Sequence, residues 1–195
     1  MERKNAIHTI SDEDLNQFAK YMREKYPQAY YFLQIARYTG MRLSEVYGLT
    51  WNDIDLKNRK ISVNKQLQYV KGVITFEKTK TANSVRILPI PPILVNILME
   101  YKSHELEFEY NLVLNPFKKN GVKCQINTYI KQFGNNLSAH SLRHTYATKL
   151  LANGLDVKTV SSLLGDTPAM VMKTYLHFSS EMKAAASNAV ANIFG

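Results

Sequence analysis

The hydrophobic pattern of this 195-residue chain changes period twice. Between residues 54 and 90, apolar and polar residues alternate and β-branched residues are frequent, which is typical of β-strands. On both sides of this block the apolar residues recur at helical spacing. The predicted strands are 54–56, 60–63, 73–76 and 85–90, of which the last two flank a polar hairpin tip. The expected fold is α+β, mainly α-helical, with a small antiparallel three-stranded sheet.

Helix start and stop signals bracket the helical regions. Ser11 and Asp14 resemble a capping box, and Gly40 suits the left-handed end of a nearly all-apolar helix at 30–38. Pro168 is typical of a first helical position. Further helices are predicted at 44–49, 93–101, 125–133, 140–153, 157–164, 168–178 and 180–194.

The charge of the chain predicts a polyanionic partner. The formal net charge is +9, and the stretch from Tyr110 to Leu155 contains no Asp or Glu. Nucleic acid is the first expectation and an anionic membrane surface the second. The single cysteine, Cys124, excludes an internal disulfide and fits a reducing cytosol. No apolar run is long enough to span a membrane, and the first residues do not resemble a signal peptide.

A cationic cluster at the start of one helix predicts an anion site. His140, Arg143 and His144 fall within five residues on one helix face. A cation near a helix N-terminus opposes the helix dipole, which indicates a bound phosphate or carboxylate beside Arg143. Zinc binding by His140 and His144 is disfavoured because a third ligand and the usual neighbouring Glu are missing. His144 is interpreted as a core or capping histidine.

A second candidate arginine lies between two predicted helices. Arg42 follows the break at Gly40, and an ion pair with Glu45 would be its simplest role. Arg37 competes with it but lies inside the preceding helix. Tyr175, one of 12 tyrosines, stands out only because a turn and a proline start precede its helix.

Four segments in order resemble the catalytic domain of the tyrosine recombinases, the integrase family of phages and conjugative transposons. They are TGMRLSE around Arg42, K-T-x-x-S-x-R-x-x-P from Lys80, H-x-L-R-H-T from His140, and LG-x(9)-Y-x-H through Tyr175. The resemblance covers nearly the whole chain. It implies that Arg42 and Arg143 grip the scissile phosphate of DNA, that Lys80 is a proton donor, that His140 is the active-site histidine and that Tyr175 is the nucleophile.

The resemblance also implies a reaction and an assembly. The expected enzyme is a site-specific recombinase that forms a 3′-phosphotyrosine intermediate, needs no metal or other cofactor, and exchanges strands of double-stranded DNA within a homo-tetramer. Residues 1–178 would form the catalytic domain, and the helix at 179–195 would dock in trans. The DNA-clamping domain that usually precedes such a catalytic domain is expected to be absent. The expected location is the cytoplasm of a bacterial host, at the nucleoid, with no membrane partner.

Basic residues are expected to contact DNA phosphates without reading bases. They are Arg86, Lys118, Lys119, Lys123, Lys131 and Lys149. Two other functions remain open at this point. One is a DNA-binding or architectural module without chemistry, and the other is a nicking and rejoining enzyme that resembles type IB topoisomerases.

One residue departs from the pattern of the family. Asp166 follows the glycine of the LG segment, where the family usually has His or Trp. In the first hypothesis, which we favour, Asp166 is ionised and either caps the turn at Thr167 and Pro168 or orients a neighbouring Arg or His. In the second hypothesis, it is protonated and donates a hydrogen bond to the phosphate.

Overall fold

The computed structural model describes residues 9–70, 73–78, 84–103, 109–114, 126, 128, 130, 131 and 137–175. Among these residues, the α-helices are α1 (Asp12–Lys25), α2 (Pro27–Thr39), α3 (Leu43–Tyr47), α4 (Pro92–Ser103), α5 (Ala139–Ala152), α6 (Val157–Leu164) and α7 (Pro168–Tyr175). The β-strands are β1 (Ile54–Asp55), β2 (Lys60–Val63), β3 (Lys65–Val70), β4 (Val73–Lys78) and β5 (Arg86–Pro89). The predicted α+β architecture, mainly helical, is confirmed.

The strands form two small antiparallel sheets. One sheet has the order β1-β2-β5 and the other pairs β3 with β4. Ile61 of β2 lies opposite Leu88 of β5, and both side chains are fully buried. Ile87 points to the other face and is 63% exposed. The alternation seen in the sequence therefore separates a core face from an outer face, as expected for a half-buried sheet.

The predicted hairpin between 73–76 and 85–90 is wrong. Strand β4 pairs with β3, which the sequence analysis missed, and β5 pairs with β2. The sequence analysis did not predict β3 because Gln66 and Gln68 make this segment polar. In the structure, the amides of both residues donate hydrogen bonds to Glu77 across the hairpin, at 3.2 and 2.7 Å. Only two residues separate β3 from β4, and so short a connection favours pairing of the strands on either side of it.

Helix α2 forms the centre of the main core. It packs against α1, α4 and α5, and Phe32, Leu33 and Ile35 are at most 1% exposed. A helix covered on several sides is apolar around most of its circumference, which explains the run at 30–38. It ends at Gly40, as predicted, with a φ of +63°. A Cβ atom at Gly40 would lie 2.4 Å from the ring of Tyr146 on α5, so only glycine fits there.

Helices α5, α6 and α7 share a second apolar cluster. Its buried members are Ala147, Leu151, Val160, Leu164, Val171 and Tyr175. Gly165 ends α6 in the left-handed conformation, which turns the chain back toward α7. The cluster therefore fixes Tyr175 relative to α5.

The helices predicted at 140–153 and 157–164 are confirmed, as is the helix predicted from 168 up to residue 175. Residues 126, 128, 130 and 131 are helical, in agreement with the helix predicted at 125–133. The helix predicted at 180–194, and with it the C-terminal unit 179–195, lies outside the described residues. Within the described part of the chain, no helix has the length and apolar character needed to cross a membrane.

Candidate active site

Arg143 lies in the first turn of α5, and its side chain is 4% exposed. Ser138 caps this helix, since its hydroxyl accepts the backbone N–H of His140 at 3.2 Å. The Arg143 guanidinium donates from Nη1 to the carbonyl of Gly40 at 2.9 Å and from Nη2 to the carbonyl of Leu164 at 2.8 Å. The cation is therefore held by the ends of two other helices, α2 and α6.

Arg42 stands between α2 and α3, and its side chain is 33% exposed. Its Nη1 atom donates to Glu45 at 2.9 Å, which is the simple ion pair expected from the sequence. Its Nη2 atom donates to the carbonyl of Gly165 at 3.1 Å, so the guanidinium also reaches the end of α6. Arg37, the competing candidate, forms an ion pair with α1 at 3.1 Å. The fold thus brings Arg42, and not Arg37, to the loop that holds Arg143.

The Asp166 carboxylate bridges the two guanidiniums. Its Oδ1 atom accepts a hydrogen bond from Arg42 Nη2, and its Oδ2 atom accepts one from Arg143 Nη2 at 2.7 Å. The side chain is 18% exposed. These contacts agree with the hypothesis that Asp166 orients a neighbouring arginine. Both carboxylate oxygens accept hydrogen bonds from guanidiniums, so neither is placed as the donor to a phosphate that the second hypothesis requires. The start of α7 is capped instead by the hydroxyl of Thr167, which accepts the N–H of Met170 at 3.3 Å.

Glu45 extends this charge network into the core. Its carboxylate is 2% exposed and accepts two hydrogen bonds from Arg86, at 3.1 and 2.9 Å. Burial raises the pKa of Glu45, but the hydrogen bonds and charges of Arg86 and Arg42 outweigh that effect and leave the pKa below its ordinary value. Glu45 therefore remains ionised and keeps Arg42 in place.

The expectation that Arg86 faces DNA is corrected by its position. Its side chain is 5% exposed, and its Nε atom donates to the carbonyl of Leu163 at 2.7 Å. The Arg86 guanidinium is buried against Glu45 and therefore stabilises the site from within the core. A pattern of basic residues in the sequence does not reveal which of them carry a buried partner.

Tyr175 lies at the end of α7 and is 5% exposed. Its hydroxyl oxygen is 2.8 Å from Nδ1 of His144 on α5. Burial raises the pKa of Tyr175 to about 12, against the opposing influence of the Arg143 cation. The phenol is therefore protonated at neutral pH, yet it lies within the electrostatic reach of the arginine site.

His144 is the functional candidate that the sequence interpretation missed. Burial, together with the charges of the neighbouring His140 and Arg143, lowers its pKa to about 4. The imidazole is neutral at physiological pH, so its Nδ1 atom can accept the hydrogen of the Tyr175 hydroxyl. Two signals pointed to it, its place in the H-x-L-R-H-T segment and its spacing of four residues from His140, but that spacing could equally indicate packing.

His140, the histidine expected in the active site, is more exposed than His144. Its ring contacts that of His144 edge to face, with the centroids 4.7 Å apart. Burial and the Arg143 cation lower the pKa of His140 below its ordinary value. His140 and His144 thus lie in contact with each other, and His144 carries the hydrogen bond to the Tyr175 hydroxyl.

The remaining candidates are spread over the surface or lie outside the described residues. Lys131 is exposed. Lys149, on α5, forms an ion pair with Asp12. The candidates outside the described residues are Lys80, Lys118, Lys119 and Lys123. Among the residues that the structure describes, no three His, Cys, Asp or Glu side chains form a group that could hold a metal ion.

The sequence matches known proteins over most of its length. The model of the phage integrase family matches residues 8–182. A tyrosine recombinase XerC-like protein of Caldanaerobacter subterraneus is 29% identical over 96% of this chain and 55% of its own length. Tyrosine recombinase XerC of Pediococcus pentosaceus is 31% identical over 76% of this chain and 49% of its own length. The chain spans about half the length of these curated relatives.

Solved structures share the fold at low sequence identity. The integrase of transposon Tn1549, in complex with transposon right end DNA, superposes with a TM-score of 0.81 at 21% identity, over 97% of this chain and 68% of that one. The catalytic domain of the bacteriophage HP1 integrase superposes with a TM-score of 0.63 at 19% identity, over 93% of this chain and 95% of that one. The fold is thus that of the catalytic domains of tyrosine recombinases.

Proposed function

Because this chain belongs to the phage integrase family, we propose that it cleaves and rejoins DNA strands through a covalent tyrosine intermediate. One observation carries the proposal. The fold gathers Arg42, Arg143 and the Asp166 between them at the end of α6, beside a tyrosine whose hydroxyl already bonds a neutral histidine. These groups come from four separate segments of the chain, and the arginines, the histidine and the tyrosine each have a role in phosphoryl transfer.

The two guanidiniums would bind the phosphate and make its phosphorus more electrophilic. A phosphodiester is anionic and repels nucleophiles, and its two non-bridging oxygens match the paired N–H donors of arginine. Arg42 and Arg143 would bind these oxygens and stabilise the charge that accumulates in the transition state. Glu45 and backbone carbonyls hold both guanidiniums in place before DNA arrives. The site therefore needs little rearrangement during the reaction.

Tyr175 supplies the nucleophile. Its oxygen attacks the scissile phosphorus, the bond from phosphorus to the 5′-oxygen breaks, and a 3′-phosphotyrosine forms. The phenol proton must leave during this step, and His144 Nδ1 is the acceptor within hydrogen-bond distance. The departing 5′-oxygen takes a proton from Lys80, which lies outside the described residues. Attack by the 5′-hydroxyl of a partner strand reverses these steps and completes the exchange.

DNA is the proposed partner on grounds of charge. The chain has a formal net charge of +9, and the exposed Lys131 extends its basic character beyond the arginine site. We include Lys118, Lys119 and Lys123 as further phosphate contacts and Lys149 as one that must first exchange its Asp12 partner. A protein that acts on host DNA would work at the nucleoid of a bacterial cell.

Strand exchange requires more than one copy, and we propose a homo-tetramer on DNA. The C-terminal segment 179–195 would dock on a neighbouring copy through apolar residues that recur at helical spacing in its sequence, namely Met182, Ala185, Ala186, Ala189, Val190 and Ile193. Removal of the residues after Ser180 should then weaken assembly more than cleavage at a single site. Equal loss of both activities in the truncated protein would contradict this role.

The decisive experiment traps the covalent intermediate. The protein is incubated with a pool of nicked suicide duplexes that contain random sequences, and adducts are separated on a denaturing gel. Wild type should form an adduct, Tyr175→Phe should not, and Tyr21→Phe, which alters an exposed tyrosine on α1, should behave as wild type.

Failure to form any adduct would favour a binding module without chemistry. Relaxation of supercoiled DNA without recombinant products would favour the topoisomerase-like alternative. In either case strand exchange would be excluded, because exchange needs both the covalent bond and a partner strand.

A further inference from the structure

We propose that the Asp166 carboxylate occupies, in the DNA-free protein, the place that the scissile phosphate takes between Arg42 and Arg143. This inference rests on the proposed function, because it concerns the same anion site. It makes Asp166 an internal substitute for the substrate. The residue would preserve the spacing of the two guanidiniums until DNA displaces it.

The geometry of the bridge supports this assignment. Asp166 presents one oxygen to each guanidinium, as a bound phosphodiester would present its two non-bridging oxygens. Arg143 is 4% exposed, whereas the carboxylate that bonds it is 18% exposed. An incoming anion therefore meets Asp166 before it can reach Arg143. The family's usual His or Trp at this position has no anionic oxygen and could not fill the site in this way.

The guanidiniums do not depend on Asp166 alone. Arg143 also donates to the carbonyls of Gly40 and Leu164, and Arg42 donates to Glu45. Both arginines would stay in position after the carboxylate leaves. Displacement of Asp166 therefore costs its two ion pairs but does not require the site to be rebuilt.

The movement is confined to a side chain. The backbone N–H of Asp166 donates to the carbonyl of Ser161 at 3.0 Å, and Gly165 just before it is in the left-handed conformation that ends α6. These contacts hold the main chain of the loop. Rotation of the Asp166 side chain toward solvent is enough to open the site to a phosphate.

The consequence is competition between two anions for one pair of cations. Replacement of Asp166 by Asn removes the negative charge and keeps the size of the side chain. We expect Asp166→Asn to bind DNA roughly ten-fold more tightly, because the phosphate no longer displaces a paired carboxylate. This gain in DNA affinity should depend only on the negative charge of the scissile phosphate.

The test compares two DNA duplexes in a Tyr175→Phe background, where no chemistry occurs. One duplex carries the normal scissile phosphate at the site recovered from the trapping experiment. The other has a neutral methylphosphonate there. Asp166→Asn should tighten binding of the normal duplex and leave the affinity for the neutral duplex nearly unchanged, as measured by fluorescence anisotropy.

The matched control is Glu13→Gln, which removes one exposed negative charge from α1. It should raise the affinity for both duplexes equally and only slightly. An equal gain in affinity for both duplexes in Asp166→Asn would overturn the proposal, since the change in net charge alone would then explain the effect. So would a loss of affinity for the normal duplex, which would mean that Asp166 assists phosphate binding.

A second probe needs neither a known DNA site nor catalysis. Inorganic phosphate should raise the melting temperature of Asp166→Asn more than that of wild type or Glu13→Gln. If Asp166→Asn does not fold, Asp166→His replaces it in both experiments. Phosphate binding without any DNA adduct would refute the proposed function and leave this inference standing. If the protein forms the adduct but neither Asp166 variant changes its affinity for phosphate or DNA, the proposed function stands and this inference is refuted.

Discussion

The Nδ1 atom of His144 and the hydroxyl oxygen of Tyr175 lie 2.8 Å apart, although 31 positions separate them in the chain. The imidazole is on α5 and the phenol at the end of α7, so the contact exists only because α6 folds the two helices together. It places a neutral imidazole within hydrogen-bond distance of the proposed nucleophile. The ring of His140, which the sequence favoured, contacts the ring of His144, and the His144 ring contacts that of Tyr175.

The role of His144 can be separated into proton acceptance and positioning. His144→Ala should slow adduct formation by roughly 100-fold, since a general base typically contributes about that much or more. His144→Asn keeps a hydrogen-bonding group near Nδ1 but cannot take a proton at neutral pH. Single-turnover rates on a suicide duplex measure both variants. A wild-type rate of adduct formation in His144→Asn would show that the contact only positions Tyr175. As a control, the DNA affinity of both variants should equal that of wild type.

The lowered pKa values of the two histidines predict how stability depends on pH. Both imidazoles bind protons more weakly in the folded protein than in the unfolded chain. The contribution of His144 to stability is therefore present above pH 6.5 and is lost as the pH falls toward its folded pKa of about 4. Melting temperatures should fall as the pH is lowered from 7 to about 5.5, a range in which few carboxylates with ordinary pKa values take up protons. His144→Asn should reduce this slope, and an unchanged slope would contradict the prediction.

Glu45 should be essential for stability because it is buried between two cations. Glu45→Gln leaves Arg42 and Arg86 without their shared carboxylate, and we expect a loss of about 3–5 kcal/mol in the free energy of unfolding. The control is Glu100→Gln, which breaks an exposed pair with Arg23 and should cost no more than about 1 kcal/mol. Urea denaturation measures both. Similar losses in the two variants would refute the argument from burial.

Gly40 should tolerate no side chain, for reasons of backbone and of space. Gly40→Ala combines a left-handed φ with a Cβ placed 2.4 Å from the ring of Tyr146, and overpacking adds about 1–3 kcal/mol to the backbone cost. Gly154→Ala is the matched control, because its φ is also positive, at +85°, but the space around it is open. The control should lose only the backbone term, roughly 1–2 kcal/mol. Equal losses in the two variants would mean that Tyr146 simply moves aside.

The carbonyl of Gly40 also holds the guanidinium of Arg143. A shift of this backbone should therefore slow adduct formation in Gly40→Ala even at temperatures where the variant is fully folded. Gly154→Ala should keep the wild-type rate.

Local signals in the sequence determined most of the helices and identified several of the candidate site residues. Helix periods and caps such as Ser11 and Gly40 predicted most helices, because these features depend on residues only a few positions apart. The order of the motif segments identified Arg42, Arg143 and Tyr175 as candidates.

Only the tertiary structure decided which side chains meet. Arg86 carries the same charge as the arginines of the site, yet packing buries it against Glu45. Asp166 bonds Arg42 across 124 positions of the chain, and His144 meets Tyr175 because α6 packs against both of their helices. The pairing of β4 with β3 likewise depended on polar cross-strand contacts that hydrophobic alternation does not record. Such partners are set by the packing of distant segments, whereas the periodicity of a sequence reports only the nearest turn of helix or the alternate residues of a strand.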